Sequence, residues 1–193
     1  MLFRSATLLR HQGELDEAER LYEEALAILA ESGGAVLRGK LTNQLALAAW
    51  AKRDLSRAER LLRDAIRILS AVQDRGTLCE SQRMLGEVLL EQGRIDDAER
   101  FALASRETVG PEDVASRAST RLSLARVRAA QGRDVEAEKL FRDGLDIVEG
   151  AHYPRIAADL RKFYARFLRD RGRHADANAF DTELAPVLAS ATE

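Results

Sequence analysis

Apolar positions recur at helical spacing along almost the whole chain, and the runs break at regular intervals. Leu2, Leu8, Leu9, Leu15, Ala18, Leu21, Tyr22, Ala25, Leu26 and Leu29 form the first run, interrupted by Gln12-Gly13-Glu14. This pattern predicts two helices joined by a tight turn, with Gly free to take the backbone angles that end a helix. Leu41, Leu45, Leu47, Ala48 and Trp50 predict the next helix. Leu55, Ala58, Leu61, Leu62, Ala65, Ile66 and Leu69 predict its partner, with Asp54 placed to cap it. No stretch alternates with period two for long, so no sheet is expected. The connections are short, and none reads as a domain linker.

The breaks define a repeat. A turn residue is followed five positions later by Ala and then by Glu or Asn, in copies centred on Gly13/Ala18, Arg53/Ala58, Gly93/Ala98, Gly132/Ala137 and Gly172/Ala177. The turns are 40, 40, 39 and 40 residues apart. Such a period points to stacked helix pairs. Five units follow, about 1–34, 35–74, 75–110, 111–150 and 151–193, with ten helices in five antiparallel pairs. Ala is expected on the inner face of each second helix, where a larger side chain would overpack the pair at about 1–3 kcal/mol. Position nine past the turn is Tyr22, Leu62, Ala102, Phe141 and Asp181. It is large and apolar in three copies, and in the last copy Phe180 stands one residue early. Pro111 and Pro154 are placed at helix starts, where a missing N–H costs nothing.

Composition changes this picture little. The chain has 193 residues, 46% of them apolar and 32% charged, with a net charge of −2. Neither nucleic acid nor an anionic membrane is demanded by that balance. No apolar run approaches the roughly 18 residues of a membrane span. Cys79 is the single cysteine, which excludes an intrachain disulfide and fits a reducing, cytoplasmic compartment. The basic residues are 26 Arg and 4 Lys, an imbalance that a coding bias explains.

On these residues the chain resembles the tetratricopeptide repeat family. The third unit carries the resemblance best, with Leu85-Gly86, Gly93, Ala98 and Ala102. The first has Ala6, Gly13, Ala18, Tyr22 and Ala25, and the second Leu45-Ala46, Ala58 and Ala65. The fourth has Leu124-Ala125, Gly132, Ala137 and Phe141, and the fifth Tyr164-Ala165, Gly172 and Ala177. The resemblance implies an all-α, right-handed superhelical solenoid whose first helices line a concave groove. The family's usual period is about 34, and the longer one in this chain resembles the repeats of kinesin light chains and of sensor arrays in large bacterial signalling proteins. The Pro that often closes the family's unit is absent. The first helix, about 12 residues before its turn against about 17 later, suggests a piece of a longer protein.

No catalytic constellation stands out, and no cofactor or metal is expected. His11, His152 and His174 fall in different loops or helix ends, and Cys79 has neither a partner Cys nor a nearby His. Gly34 to Lys40 matches the opening of a phosphate-binding loop, but Leu41 stands where Ser or Thr should hold Mg²⁺, and a helix precedes it. Asp96 and Asp97 open a helix, which explains them as first-turn carboxylates.

Function is expected on the concave face. Counting back from each turn places Lys40, Asn43, Gln44 and Leu47 there in unit two, and Glu80, Arg83, Met84 and Glu87 in unit three. Unit four gives Ser119, Leu122, Ser123 and Arg126, and unit five Asp159, Lys162, Phe163 and Arg166. The family's clamp for a peptide C-terminus is incomplete, because Leu47 and Met84 occupy its positions. Residues 14–31 hold seven acidic groups and one basic, whereas 151–173 hold seven basic and two acidic. Solvated helix faces account for such runs. The sharper reading is a basic end around Arg126, Lys162, Arg166 and Arg169 that recruits an acidic segment, and opposite poles also permit self-association. The chain therefore reads as a non-catalytic protein- or peptide-binding module, a sensor or scaffold arm of a bacterial signalling protein. The alternative is a regulatory domain gated by a small anionic effector.

Overall fold

The computed structural model describes residues 2–32, 34–149 and 153–180. Among them every regular element is a helix: α1 (Leu2–Gln12), α2 (Leu15–Ser32), α3 (Ala35–Ala51), α4 (Leu55–Ala71), α5 (Arg75–Glu91), α6 (Ile95–Thr108), α7 (Val114–Ala130), α8 (Asp134–Val148) and α9 (Pro154–Asp170). Residues 174–180 are again helical, at the place of the expected tenth helix. Asp181 lies outside the described residues. The chain forms two compact units, Met1–Thr108 and Val109–Glu193. In the first, α1 packs on α2, α3 on α4 and α5 on α6, and α2 and α4 also contact the next first helix. In the second, α7 packs on α8, and α9 packs on both.

All five turns between paired helices are built alike. Gly13, Gly93, Gly132 and Gly172 have positive φ, and Arg53 takes the same left-handed conformation at φ 66°. In each, the amide after the turn residue reaches back five positions: Glu14 to Leu9, Asp54 to Ala49, Arg94 to Leu89, Arg133 to Arg128 and Arg173 to Leu168. This closure satisfies carbonyls that the helix end leaves open. The amide of the recurring Ala then donates to the carbonyl four residues earlier, as in Ala98 to Arg94 at 2.9 Å. Turn and second helix are thereby locked in register.

Ala18, Ala58, Ala98, Ala137 and Ala177 have no exposed surface. At Gly86 a Cβ would stand 3.2 Å from the Ala98 carbonyl oxygen and 3.4 Å from the Ala102 amide, so α5 and α6 approach through their backbones. Tyr22, Leu62, Ala102 and Phe141, nine past their turns, are all buried. In the second unit Phe141 stacks on Tyr164 at 5.1 Å, and Phe180 meets Tyr164 in a tilted contact at 4.8 Å. Phe180 thus supplies bulk one residue early.

The helix starts follow the sequence at two places and depart from it at a third. Asp54 caps α4 by accepting from the Arg57 amide, and Pro154 stands in the first turn of α9. Pro111 does not open a helix: it lies in a turn, and Asp113 caps α7 by accepting from Ser116. The reason is that an Asp side chain satisfies an orphan amide, which Pro cannot do. Gly34 to Lys40 forms no phosphate loop. Residues 35–40 are the first turns of α3, and a Cβ on Gly39 would fall 2.7 Å from Leu69 Cδ2, so Gly39 is there for helix packing.

Candidate functional site

The expected groove positions share fixed distances from each turn. In the first unit they divide between core and surface. Lys40 reaches Asp74 at 3.0 Å, and Asp74 also caps α5 through the Thr77 amide. Burial pushes the Asp74 carboxyl up, but the Thr77 amide and the Lys40 ammonium outweigh it and hold the group below its ordinary value of 3.8. Asn43 has no exposed surface, and its Oδ1 accepts a 2.7 Å hydrogen bond from Ser81. It ties α3 to α5. Met84 and Glu87 are buried as well. Gln44 and Arg83 remain half-buried. Of the expected groove residues in this unit, Asn43, Met84 and Glu87 therefore offer a partner little or no surface.

The second unit differs. Lys162 and Arg166 are exposed on α9, one turn apart, and make no ion pair among the described residues. Phe163 lies half-buried to one side of them and packs on the core together with Leu122 of α7. The guanidinium of Arg126 covers the Phe163 ring at 4.3 Å, a cation–π contact worth about 0.5–1 kcal/mol where solvent reaches it. Arg169 follows one turn beyond Arg166 and is half-buried. The turn-based count therefore brings Arg126, Lys162 and Arg166 onto one face of α7 and α9.

The charge runs read differently once their partners are seen. In the acidic stretch Asp16 and Glu19 bind Lys52, Glu19 and Glu23 bind Arg57, and Glu17 and Glu24 bind Arg20. Three of the acids are thus spent on the next repeat and two within α2 itself. In the basic stretch Arg171 binds Asp134, and Arg173 binds Glu138 and Asp176. What remains outward is the Lys162–Arg166 side of α9.

Cys79 is buried, with its thiol 3.3 Å from the Ser105 hydroxyl, which in turn donates to the Cys79 carbonyl at 3.0 Å. It joins α5 to α6. His152 lies outside the described residues. Among the described residues no group of His, Cys, Asp and Glu is placed to hold a metal ion, and no helix is long and apolar enough to cross a membrane.

Paired helices, a shared turn and a buried Ala in each second helix define a helix-pair repeat protein. Family models described as Tetratricopeptide repeat match residues 1–71 and 80–104, and those stretches are tetratricopeptide repeats. No curated protein matches the sequence. Solved structures with the same fold include BtubC (BKLC) from P. vanneervenii, at 18% identity and a TM-score of 0.77, covering 97% of this chain and 78% of that one. A putative kinesin light chain from Podosopora anserina with nearly identical TPR-like repeats gives 21% identity and 0.71, covering 99% and 94%. A Rap protein complexed with Competence and Sporulation Factor gives 13% identity and 0.86, covering 97% of this chain and 53% of that one. At these identities the likeness is one of fold.

Proposed function

We propose that this chain is a non-catalytic interaction module that captures a segment of another protein on the face that the first helices α7 and α9 form in its second unit. One observation carries the reading. Turns, small residues and ion pairs elsewhere are used to build the repeats, whereas the α7–α9 face keeps Lys162 and Arg166 exposed beside half-buried Phe163 and Leu122. Apolar floor with charged rim is the usual make-up of a protein interface. A role as one arm of a larger signalling or regulatory protein fits the same architecture.

Selection of a random peptide library against the purified chain tests this. Selected peptides should lose about tenfold or more in affinity when Ser119→Trp fills the face without altering its charges. Lys139→Trp, on the outer surface of α8, should leave them bound. Peptides indifferent to Ser119→Trp would overturn the reading.

A further inference from the structure

Resting on the reading above, we infer that the segment taken up by the second unit is an acidic peptide. Along α9, Arg155, Lys162, Arg166 and Arg169 recur at spacings of seven, four and three, which puts them on one side of the helix. From Arg155 to Arg169 this stripe runs about 21 Å at 1.5 Å per residue, and Asp159 is the one acid within it. Arg171 and Arg173 are spent on Asp134, Glu138 and Asp176, but Lys162 and Arg166 carry no carboxylate from the chain's described residues. Leaving two like charges adjacent and exposed costs little in water, and a carboxylate-bearing partner gains from both.

Two features favour a peptide over a nucleic acid. Single strands bind through aromatic rings with an open face for bases. Phe163, the aromatic beside Lys162 and Arg166, has a ring face occupied by the Arg126 guanidinium, Tyr164 and Phe167 are buried against Phe141, and the exposed Tyr153 stands alone at the start of α9, where stacking of successive bases needs more than one ring. The chain as a whole carries a net charge of −2, which supplies none of the general attraction that holds a polyphosphate backbone. Leu122 and the rim of Phe163 give apolar side chains of a peptide a place beside the cations.

Fluorescence anisotropy with a labelled peptide of Glu-Glu-Leu repeats, and with an oligothymidylate of equal charge, tests the inference. The intact chain should bind the peptide more tightly than the oligonucleotide, and affinity should fall as salt rises. Lys162→Glu with Arg166→Glu should weaken peptide binding by about tenfold or more, and the corresponding Gln pair by less. Arg60→Glu with Arg67→Glu changes net charge equally on the outer side of α4 and should have little effect. Equal losses from both reversals, or tighter oligonucleotide binding, would overturn the inference. If library-selected peptides lose binding with Ser119→Trp but ignore the Lys162 and Arg166 reversals, the interaction module stands and its acidic preference falls. If no peptide depends on Ser119, both fall.

Discussion

Glu138 accepts a 2.6 Å hydrogen bond on Oε2 from Nη1 of Arg173, thirty-five residues further along the chain. Its other oxygen accepts from the Tyr164 hydroxyl at 3.0 Å and from Arg142 at 2.6 Å. One carboxylate thus joins α8, α9 and the following turn. The same relation recurs in the first unit, where Arg94 reaches Glu59 at 2.9 Å across thirty-five residues. Glu59 and Glu138 are the acids that follow the repeated Ala, and Arg94 and Arg173 are the residues after the turn. Arg is a poor helix N-cap, since it has no side-chain acceptor. In these repeats the capping position serves instead to brace neighbouring helix pairs.

Glu138→Ala should therefore cost about 1–3 kcal/mol, because it strips the acceptor from a hydroxyl and two guanidinia. Tyr164→Phe, which removes one of those bonds, should cost less. Thermal or urea unfolding of the single and double variants with Arg173→Ala measures the coupling, which should be non-zero for a contacting pair. Additive losses would mean that the brace contributes nothing beyond its parts.

The same carboxylate gives a pH dependence. The hydrogen bond from Arg173 is the largest influence on Glu138. It outweighs burial and holds the group below its ordinary value of 4.5. A carboxyl with a lower pKa in the folded chain adds stability above the unfolded value, and that stability is lost as pH falls through the folded one. Unfolding midpoints should accordingly fall below about pH 4.5, and Glu138→Gln should flatten that part of the profile. An unchanged acid limb in Glu138→Gln would assign the loss to Glu59, Asp97 and Asp134, whose carboxyls are lowered in the same direction.

Close packing sets a second requirement. Gly86 faces the backbone of α6, not a side chain that can turn aside, so Gly86→Val must separate α5 from α6. Ala98→Leu adds bulk on the opposite side of the same contact, where no surface is exposed. Each should cost about 1–3 kcal/mol or more, read as a lowered midpoint in thermal unfolding. A wild-type midpoint for either variant would refute close helix approach as the reason for small residues at these positions.

The register of these pairs was legible in the sequence because it depends on local rules. A left-handed turn favours Gly, which fills four of the five turns, and close helices need Ala five residues on. Both leave marks at fixed spacing. The fate of charged residues was not legible, because it depends on partners far away in sequence. The acidic run over 14–31 looks like a pole, yet Lys52 and Arg57 of the next repeat pair with three of its acids. Asn43 lies at a groove position by count, but Ser81 of the next first helix draws it into the core. Counted position and exposed surface coincide on α9, at Asp159, Lys162 and Arg166, and there the two cations carry no carboxylate from the described residues. The recurring pair of Glu after Ala and Arg after the turn was the available signal for the brace.

Backbone strain at two connections gives a prediction of opposite signs. Gln73 has φ 57° at the end of α4, and its amide and that of Asp74 close the helix as in the glycine turns. A non-glycine residue in this region costs about 1–2 kcal/mol, while Gly costs roughly 0.5–1 kcal/mol in lost chain entropy. Gln73→Gly should therefore be neutral to stabilising by up to about 1 kcal/mol. Gly93→Ala, at φ 78°, should lose a similar amount. Denaturant midpoints that move in the same direction for both would show that these φ values do not limit stability.

The thiol of Cys79 supplies a probe of how firmly α5 and α6 are joined. It is 2% exposed and lies against Ser105 at the centre of that pair. A disulfide reagent attacks the thiolate and needs access, so a buried thiol reacts only when the structure opens. In native buffer, modification should therefore be slow and should speed up with denaturant in step with unfolding. Gly86→Val and Ala98→Leu, which loosen the same contact, should accelerate it, whereas Gln73→Gly should not. Ser105→Ala should also accelerate labelling, since it removes the hydroxyl that donates to the Cys79 carbonyl. Rapid labelling of the folded wild-type chain would mean that α5 and α6 separate without global unfolding.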